Sequence, residues 1–340
     1  MFRFKKDFGK TMIIAEAGVN HNGNLSLALE LCDKAMESGA DVIKFQTWKT
    51  ENLITRNVSQ AEYQEKNTCK KESQFDMLKN LELSYSDFAK LKKHCDEIGI
   101  VFSSTADEKE SLDFLIDLGI PFIKVGSGDI LNIPFLRYIG SKKLPIILST
   151  GMSSLADVDI SLQALREGGG SDITILHCTT SYPCPYEDVN LKAMLTLKNA
   201  FHLPVGYSDH TCGENVAIAA VALGAEIIEK HFTLDCSMKG PDHAASTSPE
   251  NFATLVKSIR NTESSLGNGS KMPTEKEKCI SNVVTKRIVA ARNITKGEIF
   301  TDENICVKRN DLGMKALNWD NVIGQTAKKD YIEDEYIKLF

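Results

Sequence analysis

A short apolar run, a polar break and an amphipathic stretch recur in that order eight times between Thr11 and His231. The apolar runs are rich in β-branched residues and predict strands at residues 12–15, 41–45, 100–103, 121–125, 145–148, 173–176, 203–206 and 225–228. Apolar residues at helical spacing predict helices that include residues 25–38, 84–98, 108–118, 155–167 and 215–223. Eight such units in about 220 residues is the size of a (β/α)₈ TIM barrel, which we expect here. Spacing alone does not show closure, so a doubly wound sheet is the alternative.

Four segments lie outside this repeat. Residues 47–84 are polar and poor in strand signal, which predicts an elaborated loop with helical pieces over the barrel mouth. A last helix at 249–266 ends the predicted barrel domain, residues 1–266. Residues 267–282 are rich in Gly and charge, lack a hydrophobic pattern and are predicted to be a linker. Short alternating runs in residues 283–340 predict a small β-rich domain.

Composition narrows the classes of function. The 340 residues carry a net charge of -6 with no basic stripe, which argues against nucleic-acid binding. Nine cysteines, an odd number without a CxxC pair, are typical of reduced thiols in a cytosol. No segment approaches the ~20 apolar residues of a membrane span, and the first apolar run is too short for a signal peptide. We therefore expect a cytoplasmic protein with neither a membrane nor a nucleic-acid partner.

Polar and ionisable side chains stand at nearly every predicted strand end. They are Glu16, Lys44, Gln46, residues 103–105, Lys124, Ser127, residues 149–150, residues 177–180, Tyr182, residues 208–210 and residues 229–231. Catalytic residues of a (β/α)₈ barrel come from the carboxyl ends of its strands, so these side chains predict one active site at one mouth of the barrel.

Two of these residues, Lys44 and Lys124, predict an anionic ligand, because lysine is almost never buried without a partner. The Ser- and Gly-rich loops at 126–129, 149–152 and 207–210 supply the donors that a phosphate needs. A small phosphorylated carboxylate would satisfy both groups. The alternative for Lys44 alone is an ion pair with a barrel carboxylate such as Glu16.

His210 and His231 end adjacent strands, so their imidazoles can meet at one ion. Two histidines with oxygen ligands suit Mn²⁺, Mg²⁺ or Zn²⁺. His21 follows the first strand, and its sequence position leaves two interpretations open, a group that orients a ligand or a capping residue. Cys178 is interpreted as a small buried hydrophobe that points into the barrel wall, rather than as a nucleophile.

Nine ordered motifs resemble the N-acetylneuraminate (sialic acid) synthase family, which includes the legionaminate- and pseudaminate-forming enzymes. The motifs are AEAGVNHNG (15–23), VIKFQT (42–47), KVGSGD (124–129), LSTGM (148–152), HCTTSYPCPYEDVNL (177–191), VGYSDHT (205–211), IEKHFT (228–233), KGPDH (239–243) and VKR (307–309). The resemblance implies a barrel followed by a small antifreeze-like (SAF) domain, which caps the active site of the other subunit in a domain-swapped homodimer.

The resemblance also implies a role for each site residue. Lys44, Thr105 and Lys124 would hold the carboxylate of phosphoenolpyruvate, and Ser127, Ser149 and Ser208 its phosphate, with Thr180 at a further phosphate contact. His210 and His231 would bind a divalent metal, Mn²⁺ in first place, with Mg²⁺ or Co²⁺ as alternatives. The remaining groups would act on or orient the amino sugar, namely Glu16, Gln46, Tyr182, Glu229, Asp242 and, from the cap, Arg309.

The expected activity is condensation of phosphoenolpyruvate with an N-acylated amino sugar, N-acetylmannosamine or 2,4-diacetamido-2,4,6-trideoxymannose, to a nonulosonic acid and phosphate. The alternatives are legionaminate rather than neuraminate as the product, another phosphoenolpyruvate-dependent barrel synthase or aldolase, and a non-catalytic sugar-binding barrel. The GPDH motif favours the legionaminate and neuraminate branches over the pseudaminate branch. Three residues depart from the family pattern: Thr180 replaces Asn, Asp107 replaces an aromatic residue, and Asn310 replaces Pro.

Overall fold

Eight parallel strands form a closed barrel in a computed structural model that describes residues 9–68 and 72–339. The strands are β1 (Met12–Gly18), β2 (Val42–Thr47), β3 (Val101–Ala106), β4 (Ile123–Val125), β5 (Ile146–Ser149), β6 (Ile173–Cys178), β7 (Val205–Asp209) and β8 (Ile227–His231). Each strand pairs with the next one, and β8 pairs with β1, which closes the cylinder. The predicted TIM barrel is therefore confirmed, and the doubly wound sheet is excluded.

Alternation along the strands creates two apolar layers. One cluster fills the base of the barrel interior and consists of Met12, Ile14, Val42, Phe122, Ile147, Leu176 and Ile227. The intervening residues, among them Ile13, Ile43 and Ile228, belong to the larger cluster between the strands and the surrounding helices. Because side chains alternate with period two, the residues that follow the interior cluster toward the carboxyl ends also point inward.

The helices around the barrel are α1 (Leu25–Glu37), α5 (Tyr85–Ile98), α6 (Lys109–Leu118), α7 (Ile133–Ser141), α8 (Leu155–Gly168), α9 (Lys192–Phe201), α10 (Asn215–Ala222) and α11 (Pro249–Leu266). The helices α2 (Thr50–Leu53), α3 (Glu62–Thr68) and α4 (Gln74–Leu81) lie between β2 and α5. Local signals fix their ends. Helix α8 begins at a capping box between Ser154 and Asp157 and ends at Gly169, whose φ is 108°. None of the helices in the described ranges is both long and apolar enough to cross a bilayer.

Helices α7 and α8 approach each other backbone to backbone. A Cβ on Gly140 of α7 would collide with the carbonyl oxygen of Leu165, and a Cβ on Gly168 of α8 would collide with the carbonyl oxygen of Arg137. Glycine at these two positions is therefore required by the closeness of the two helices. The strand β5 and its following loop lie between these helices in the chain.

The segment 47–84 contains three helices, α2 (Thr50–Leu53), α3 (Glu62–Thr68) and α4 (Gln74–Leu81). Helix α4 starts at Ser73, whose hydroxyl accepts the Asp76 backbone N–H. Its apolar residues join Val19 and Trp48 in a separate hydrophobic cluster beside the barrel mouth. The prediction of an elaborated loop with helical pieces describes this segment, although more of it is helical than its polar composition suggests.

The chain divides into two compact units, Met1–Gly267 and Asn268–Phe340. The second unit contains helix α12 (Glu275–Val284), the antiparallel strands β9 (Lys286–Ala290) and β10 (Ile305–Arg309), and the short helix α13 (Trp319–Val322). Isolated bridges such as Ile299 to Thr326 and Ile294 to Tyr331 complete it around a small apolar core. The predicted linker, residues 267–282, overlaps α12, whose capping box from Thr274 to Glu277 is a signal in the sequence that the hydrophobic pattern missed.

Candidate active site

A cavity of about 320 Å³ opens at the carboxyl ends of the barrel strands. Its lining includes these predicted site residues: Glu16, Lys44, Gln46, Thr105, Lys124, Ser127, Ser149, Thr180, Tyr182, Ser208, His210, Glu229 and His231. The strand register brings them together, because it sets Glu16 beside both Lys44 and His231, Gln46 beside Thr105, and Ser208 beside Glu229. Alternation then points these side chains into the barrel, above its apolar base.

Two lysines and two glutamates form a buried charge network at the floor of this cavity. Lys44 Nζ lies 2.6 Å from Glu16 Oε2 and 3.6 Å from Glu229 Oε2, and Lys124 Nζ lies 3.5 Å from Glu229 Oε1. All four side chains are almost fully buried. The network balances two positive charges with two negative charges, so the lysines are stabilised before any anion binds. The alternative ion pair of Lys44 with Glu16 is thus present, and it lies inside a cavity that an anion can enter.

Both lysines also donate to hydroxyl groups that face the cavity. Lys44 Nζ donates to Thr105 Oγ1 at 2.9 Å, and Lys124 Nζ donates to Ser149 Oγ at 2.8 Å. Each hydroxyl hydrogen is then free to donate to a ligand, because the oxygen already accepts from a lysine. Such an arrangement of ammonium and hydroxyl donors suits a carboxylate or a phosphate.

The two glutamates have pKa values on opposite sides of the usual value. Burial, reinforced by Glu229, raises the pKa of Glu16 to about 7 against the opposing effect of Lys44. Burial also acts to raise the pKa of Glu229, but Lys124, Lys44 and the Ser208 hydroxyl outweigh it and lower the pKa to about 2. Glu229 therefore stays ionised near neutral pH, while Glu16 can hold or release a proton there. A carboxyl pair with divided pKa values is typical of a site that carries out proton transfer.

Three hydroxyl side chains, Ser127, Ser149 and Thr180, form what we call the hydroxyl corner of the cavity. Gly151 makes room for it, since a Cβ at this position would collide with Thr180 Oγ1 and lie 2.8 Å from Ser127 Oγ. The Gly151 backbone N–H donates to Ser127 Oγ at 3.0 Å, and the Ser127 hydroxyl donates to Cys178 Sγ at 3.7 Å. Because a thiol is a weak acceptor, a ligand oxygen that enters the cavity would compete well for this hydroxyl hydrogen. Thr180, the departure from the family's Asn, thus faces the same space as Ser127.

The rings of His210 and His231 lie with their centroids 5.4 Å apart. His210 Nδ1 lies 2.7 Å from the Thr179 carbonyl oxygen and donates to it, so Nε2 carries the lone pair when the ring is neutral. Burial acts to lower the pKa of His210, but the Cys178 thiol and the Thr179 carbonyl outweigh it and raise the pKa, so the ring would release a proton when it binds a metal. Among the described residues, His231 Nδ1 is buried without a hydrogen-bond partner, and burial together with His210 lowers the pKa of His231 to about 3. Neutral imidazoles with free lone pairs are the form that binds metals. Across residues 9–68 and 72–339, no third His, Cys, Asp or Glu joins this pair, so water or substrate oxygens would complete the coordination of a bound ion.

Asp242 lies beside the main cavity. It lines a smaller cavity of about 130 Å³, which shares Gln46, Tyr182 and His231 with the main one. Gly18 sits at the junction, where a Cβ would lie 3.4 Å from Glu16 Oε1, 3.6 Å from Gln46 Nε2 and 3.8 Å from Asp242 Oδ2. Burial raises the pKa of Asp242 to about 6. The last predicted site residue, Arg309, is exposed on β10 of the second unit.

Cys178, His21 and the pair of Lys230 with Asp209 lie at or near strand ends, and the structure defines the surroundings of each. The placement of Cys178 in the barrel wall is wrong: its thiol lines the main cavity, because Cys178 follows the interior Leu176 by two residues. His21 turns out to stabilise a turn, since its Nδ1 accepts the Gly23 N–H at 3.0 Å and its ring is fully buried. Lys230 and Asp209 also stand at strand ends, but they pair with each other at 2.7 Å and do not line the cavity.

Asp107 lines the main cavity and is absent from the predicted site residues. Within the described ranges, its carboxylate has no hydrogen bond or ion pair, although Lys44 and Lys124 share the cavity with it. Burial and the nearby Asp129 raise its pKa to about 8, with Lys44 acting in the opposite direction. The sequence signal was the carboxylate at the family's aromatic position, which marked the residue as a departure without revealing that it faces the cavity.

Comparison with known proteins agrees with this architecture. The model of the NeuB family matches residues 31–271, and the model of the SAF domain matches residues 286–339. The N,N'-diacetyllegionaminic acid synthase of Campylobacter jejuni is 46% identical over 97% of this chain and 99% of its own length. The human N-acetylneuraminate-9-phosphate synthase is 35% identical over 96% of this chain and 90% of its own length. The crystal structure of the N-acetylneuraminic acid (sialic acid) synthetase of Leptospira borgpetersenii, solved with citrate, has a TM-score of 0.70 and is 33% identical, covering 80% of this chain and 90% of that one.

The closed barrel and the charged cavity at its mouth define an enzyme of the class of barrel synthases that these relatives represent. The chain belongs to the NeuB family. The resemblance inferred from the sequence motifs is therefore confirmed, and so is the prediction of a C-terminal SAF domain.

Substitution of Gly151 by Ala is expected to raise the KM for a phosphorylated substrate at least tenfold, because the new methyl group occupies the hydroxyl corner. Steady-state kinetics would measure it. Gly128→Ala is the matched control, because Gly128 also lines the cavity but a Cβ there would meet nothing within 4 Å. An unchanged KM for Gly151→Ala, in a protein with the wild-type melting temperature, would show that no anion binds in this corner.

Ionisation of Asp107 is expected to weaken anion binding. Below a pH of about 8 its carboxyl is neutral, and above that value it adds a negative charge next to Lys44, so the KM for an anionic substrate should rise. The charges of Asp129, Glu16 and Glu108 also act on Asp107, but all three residues are retained in an Asp107→Asn variant. KM measured between about pH 7 and pH 9 should therefore rise more steeply in the wild type than in Asp107→Asn. Parallel profiles for the two proteins would contradict this assignment.

Proposed function

We propose that this enzyme condenses phosphoenolpyruvate with an N-acylated amino sugar, N-acetylmannosamine or 2,4-diacetamido-2,4,6-trideoxymannose, to give a nonulosonic acid and phosphate. The observation that carries the proposal is the cavity in which two buried lysines and the hydroxyl corner lie next to the histidine pair, His210 and His231. The first group suits a phosphorylated carboxylate and the second a divalent metal. The 46% identity to a legionaminic acid synthase along nearly the whole chain supports the same chemistry.

In this proposal, Lys44, Lys124 and Thr105 bind the carboxylate of phosphoenolpyruvate. The hydroxyl corner and Ser208 bind its phosphate. Ser208 donates to Glu229 Oε1 at 2.9 Å, so its hydroxyl would rotate away from Glu229 to donate to the phosphate. Gln46, Tyr182 and Asp242, which line the smaller cavity, orient the sugar.

The reaction forms a bond between the enol carbon of phosphoenolpyruvate and the aldehyde carbon of the open-chain sugar. Water then adds to the neighbouring carbon that carries the phosphate, and the C–O bond to phosphate breaks. Glu16, whose pKa of about 7 lets it carry or release a proton, serves as the acid or base for these steps. Glu229, which is ionised near neutral pH, favours the charged forms of both lysines and holds them in place.

A divalent metal fits the histidine pair, because the buried Nδ1 of His231 has no hydrogen bond to any residue that the structure describes and His210 is oriented by the Thr179 carbonyl. His210 and His231 would hold the ion, with Mn²⁺ as the proposed metal and Mg²⁺ or Co²⁺ as alternatives. A cation there supplies a fixed positive charge that polarises a carbonyl oxygen. Gln46 and Tyr182, next to the pair, are placed to orient the sugar whose aldehyde must come close to it.

The proposal extends to the whole assembly. We propose that residues 1–266 are the catalytic domain and residues 283–340 the capping domain, that two chains form a domain-swapped homodimer, and that the enzyme is cytoplasmic. Arg309 of one subunit would then contact the N-acyl group of the sugar bound by the other. The exposed position of Arg309 on its own unit supports a role outside that unit's core.

The decisive experiment incubates the pure protein with phosphoenolpyruvate, Mn²⁺ and each candidate sugar and measures phosphate release together with the product mass. A pyruvate-dependent aldolase would act with pyruvate and release no phosphate, and a sugar-binding barrel would bind without turnover. His210→Ala and His231→Ala should each abolish phosphate release and reduce the Mn²⁺ retained after dialysis, while the melting temperature stays within a few degrees of wild type. Full activity in both variants would contradict the metal assignment.

Arg309→Ala should raise the KM for the sugar more than the KM for phosphoenolpyruvate, whereas Lys308→Ala, its neighbour on β10, should change neither. A mixture of His210→Ala and Arg309→Ala chains then tests the swap. In a swapped heterodimer, one of the two sites regains both residues, so a fraction of the activity should return with the wild-type KM for the sugar. If the mixture instead shows only the raised KM of the Arg309→Ala enzyme, each chain caps its own site.

A further inference from the structure

Resting on the metal site of the proposed function, we propose that the buried ion pair of Asp209 with Lys230 positions the two histidines for a divalent cation. Asp209 precedes His210 at the end of β7, and Lys230 precedes His231 at the end of β8. Together with Thr211, which follows His210, we call this ion pair the histidine clamp. Its three residues lie outside the lining of the main cavity, so the clamp acts through the histidines and not on the substrate.

The barrel sheet holds the two histidines unequally. His231 is the last residue of β8 and is paired with Glu16 of β1. Strand β7 ends at Asp209, so its regular pairing with β8 stops at Asp209 and Lys230, just before His210. The position of His210 must therefore be fixed by contacts outside the regular ladder of the sheet.

The histidine clamp supplies these contacts by holding both sequence neighbours of His210. Asp209 Oδ1 accepts the backbone N–H of Thr211 at 2.9 Å and its hydroxyl hydrogen at 2.7 Å, which closes a turn with His210 at its centre. Lys230 Nζ donates to Asp209 Oδ2 at 2.7 Å and to the Thr211 carbonyl oxygen at 2.8 Å. The Cys184 N–H donates to the His210 carbonyl oxygen at 2.8 Å, but this contact does not reach β8. The clamp thus ties the chain around one histidine to the neighbour of the other.

Burial explains why a clamp of this kind acts on position. Asp209 is 1% exposed and Lys230 is 3% exposed, so water does not compete for their contacts. A buried ion pair adds little net stability over apolar side chains of the same volume, because both ions lose their hydration on folding. Its charge-assisted hydrogen bonds nevertheless require defined distances between particular atoms. We therefore assign the pair to the placement of the strand ends and not to the stability of the barrel.

A cation bound by two imidazoles requires their rings to keep a fixed separation. The centroids of His210 and His231 lie 5.4 Å apart, and the groups of a functional site must be held within roughly 0.5 Å of their working geometry. Residues that orient metal ligands typically contribute about 10- to 100-fold to metal affinity. Loss of the clamp should therefore weaken cation binding, while the anion site at Lys44 and Lys124 keeps its own contacts.

The test measures the Kd for Mn²⁺ of the full chain without substrates, from the EPR signal of the free ion. Asp209→Asn combined with Lys230→Met removes both charges but keeps an oxygen that accepts from Thr211 and side chains of similar volume. This double variant should fold and bind Mn²⁺ at least about tenfold more weakly than the wild type. Its Kd for phosphoenolpyruvate, measured by calorimetry, should stay at the wild-type value.

Asp41→Asn combined with Arg260→Met is the matched control. This ion pair, at 2.6 Å, also joins a residue at a strand end to another element, but Asp41 precedes β2 and so lies at the opposite end of the barrel. The control should lower the melting temperature and leave both Kd values unchanged.

If the double variant of Asp209 and Lys230 does not fold, Thr211→Val takes its place. Val has the shape of Thr but lacks the hydroxyl that donates to Asp209, so Mn²⁺ binding should weaken roughly threefold. Wild-type Mn²⁺ affinity in the folded variant would overturn the inference, and so would an equal loss of affinity for Mn²⁺ and phosphoenolpyruvate, which indicates general destabilisation. Failure of the proposed function is distinguishable, because the wild type itself would then bind no Mn²⁺ or release no phosphate.

Discussion

The site depends on one electrostatic constraint, the burial of two ammonium groups and two carboxylates within a few ångströms at the centre of the barrel. Removing Lys44 or Lys124 would leave Glu229 charged in a medium that solvates it poorly, and removing a glutamate would do the same to a lysine. When Glu16 is ionised the network is neutral as a whole, so the barrel can fold around it without a ligand. An arriving anion then finds cations that are already desolvated and held in position, which lowers the cost of binding it.

The same network explains why Glu16 and Glu229 differ although both sit among lysines. Glu229 lies within reach of both cations and accepts a hydroxyl hydrogen from Ser208, whereas Glu16 has one close cation, Lys44, and experiences the charge of Glu229. Burial penalises both carboxylates, so the number of stabilising partners decides which one remains ionised. Glu229 therefore supplies a fixed negative charge and Glu16 a proton that can be transferred, although both residues are glutamates.

The sequence was sufficient for the barrel and for the residues at its mouth, because a period-two alternation and a polar residue at each strand end are both local signals. It was not sufficient for the side-chain direction of Cys178, because β6 is apolar at successive positions and only the interior position of Leu176 in the structure shows which of them point inward. Nor did it identify helix α12, because its signal is a capping box in a segment without an amphipathic pattern. The sequence also did not predict the hydrophobic cluster that Met77 and Leu81 form beside the barrel mouth. This cluster arises when α4 packs on Trp48 and Val19, which are distant from α4 in sequence.

The backbone contact between helices α7 and α8 has a consequence for the active site. These helices bracket β5, which ends at Ser149, and the following loop with Gly151, so both ends of this stretch are tied to a junction in which two glycines leave no space for adjustment. This anchoring restricts the movement of Ser149 and Gly151, which form one side of the hydroxyl corner. An added methyl group at Gly140, on the outside of the barrel, would therefore be transmitted as a displacement of oxygen atoms that lie on its inside.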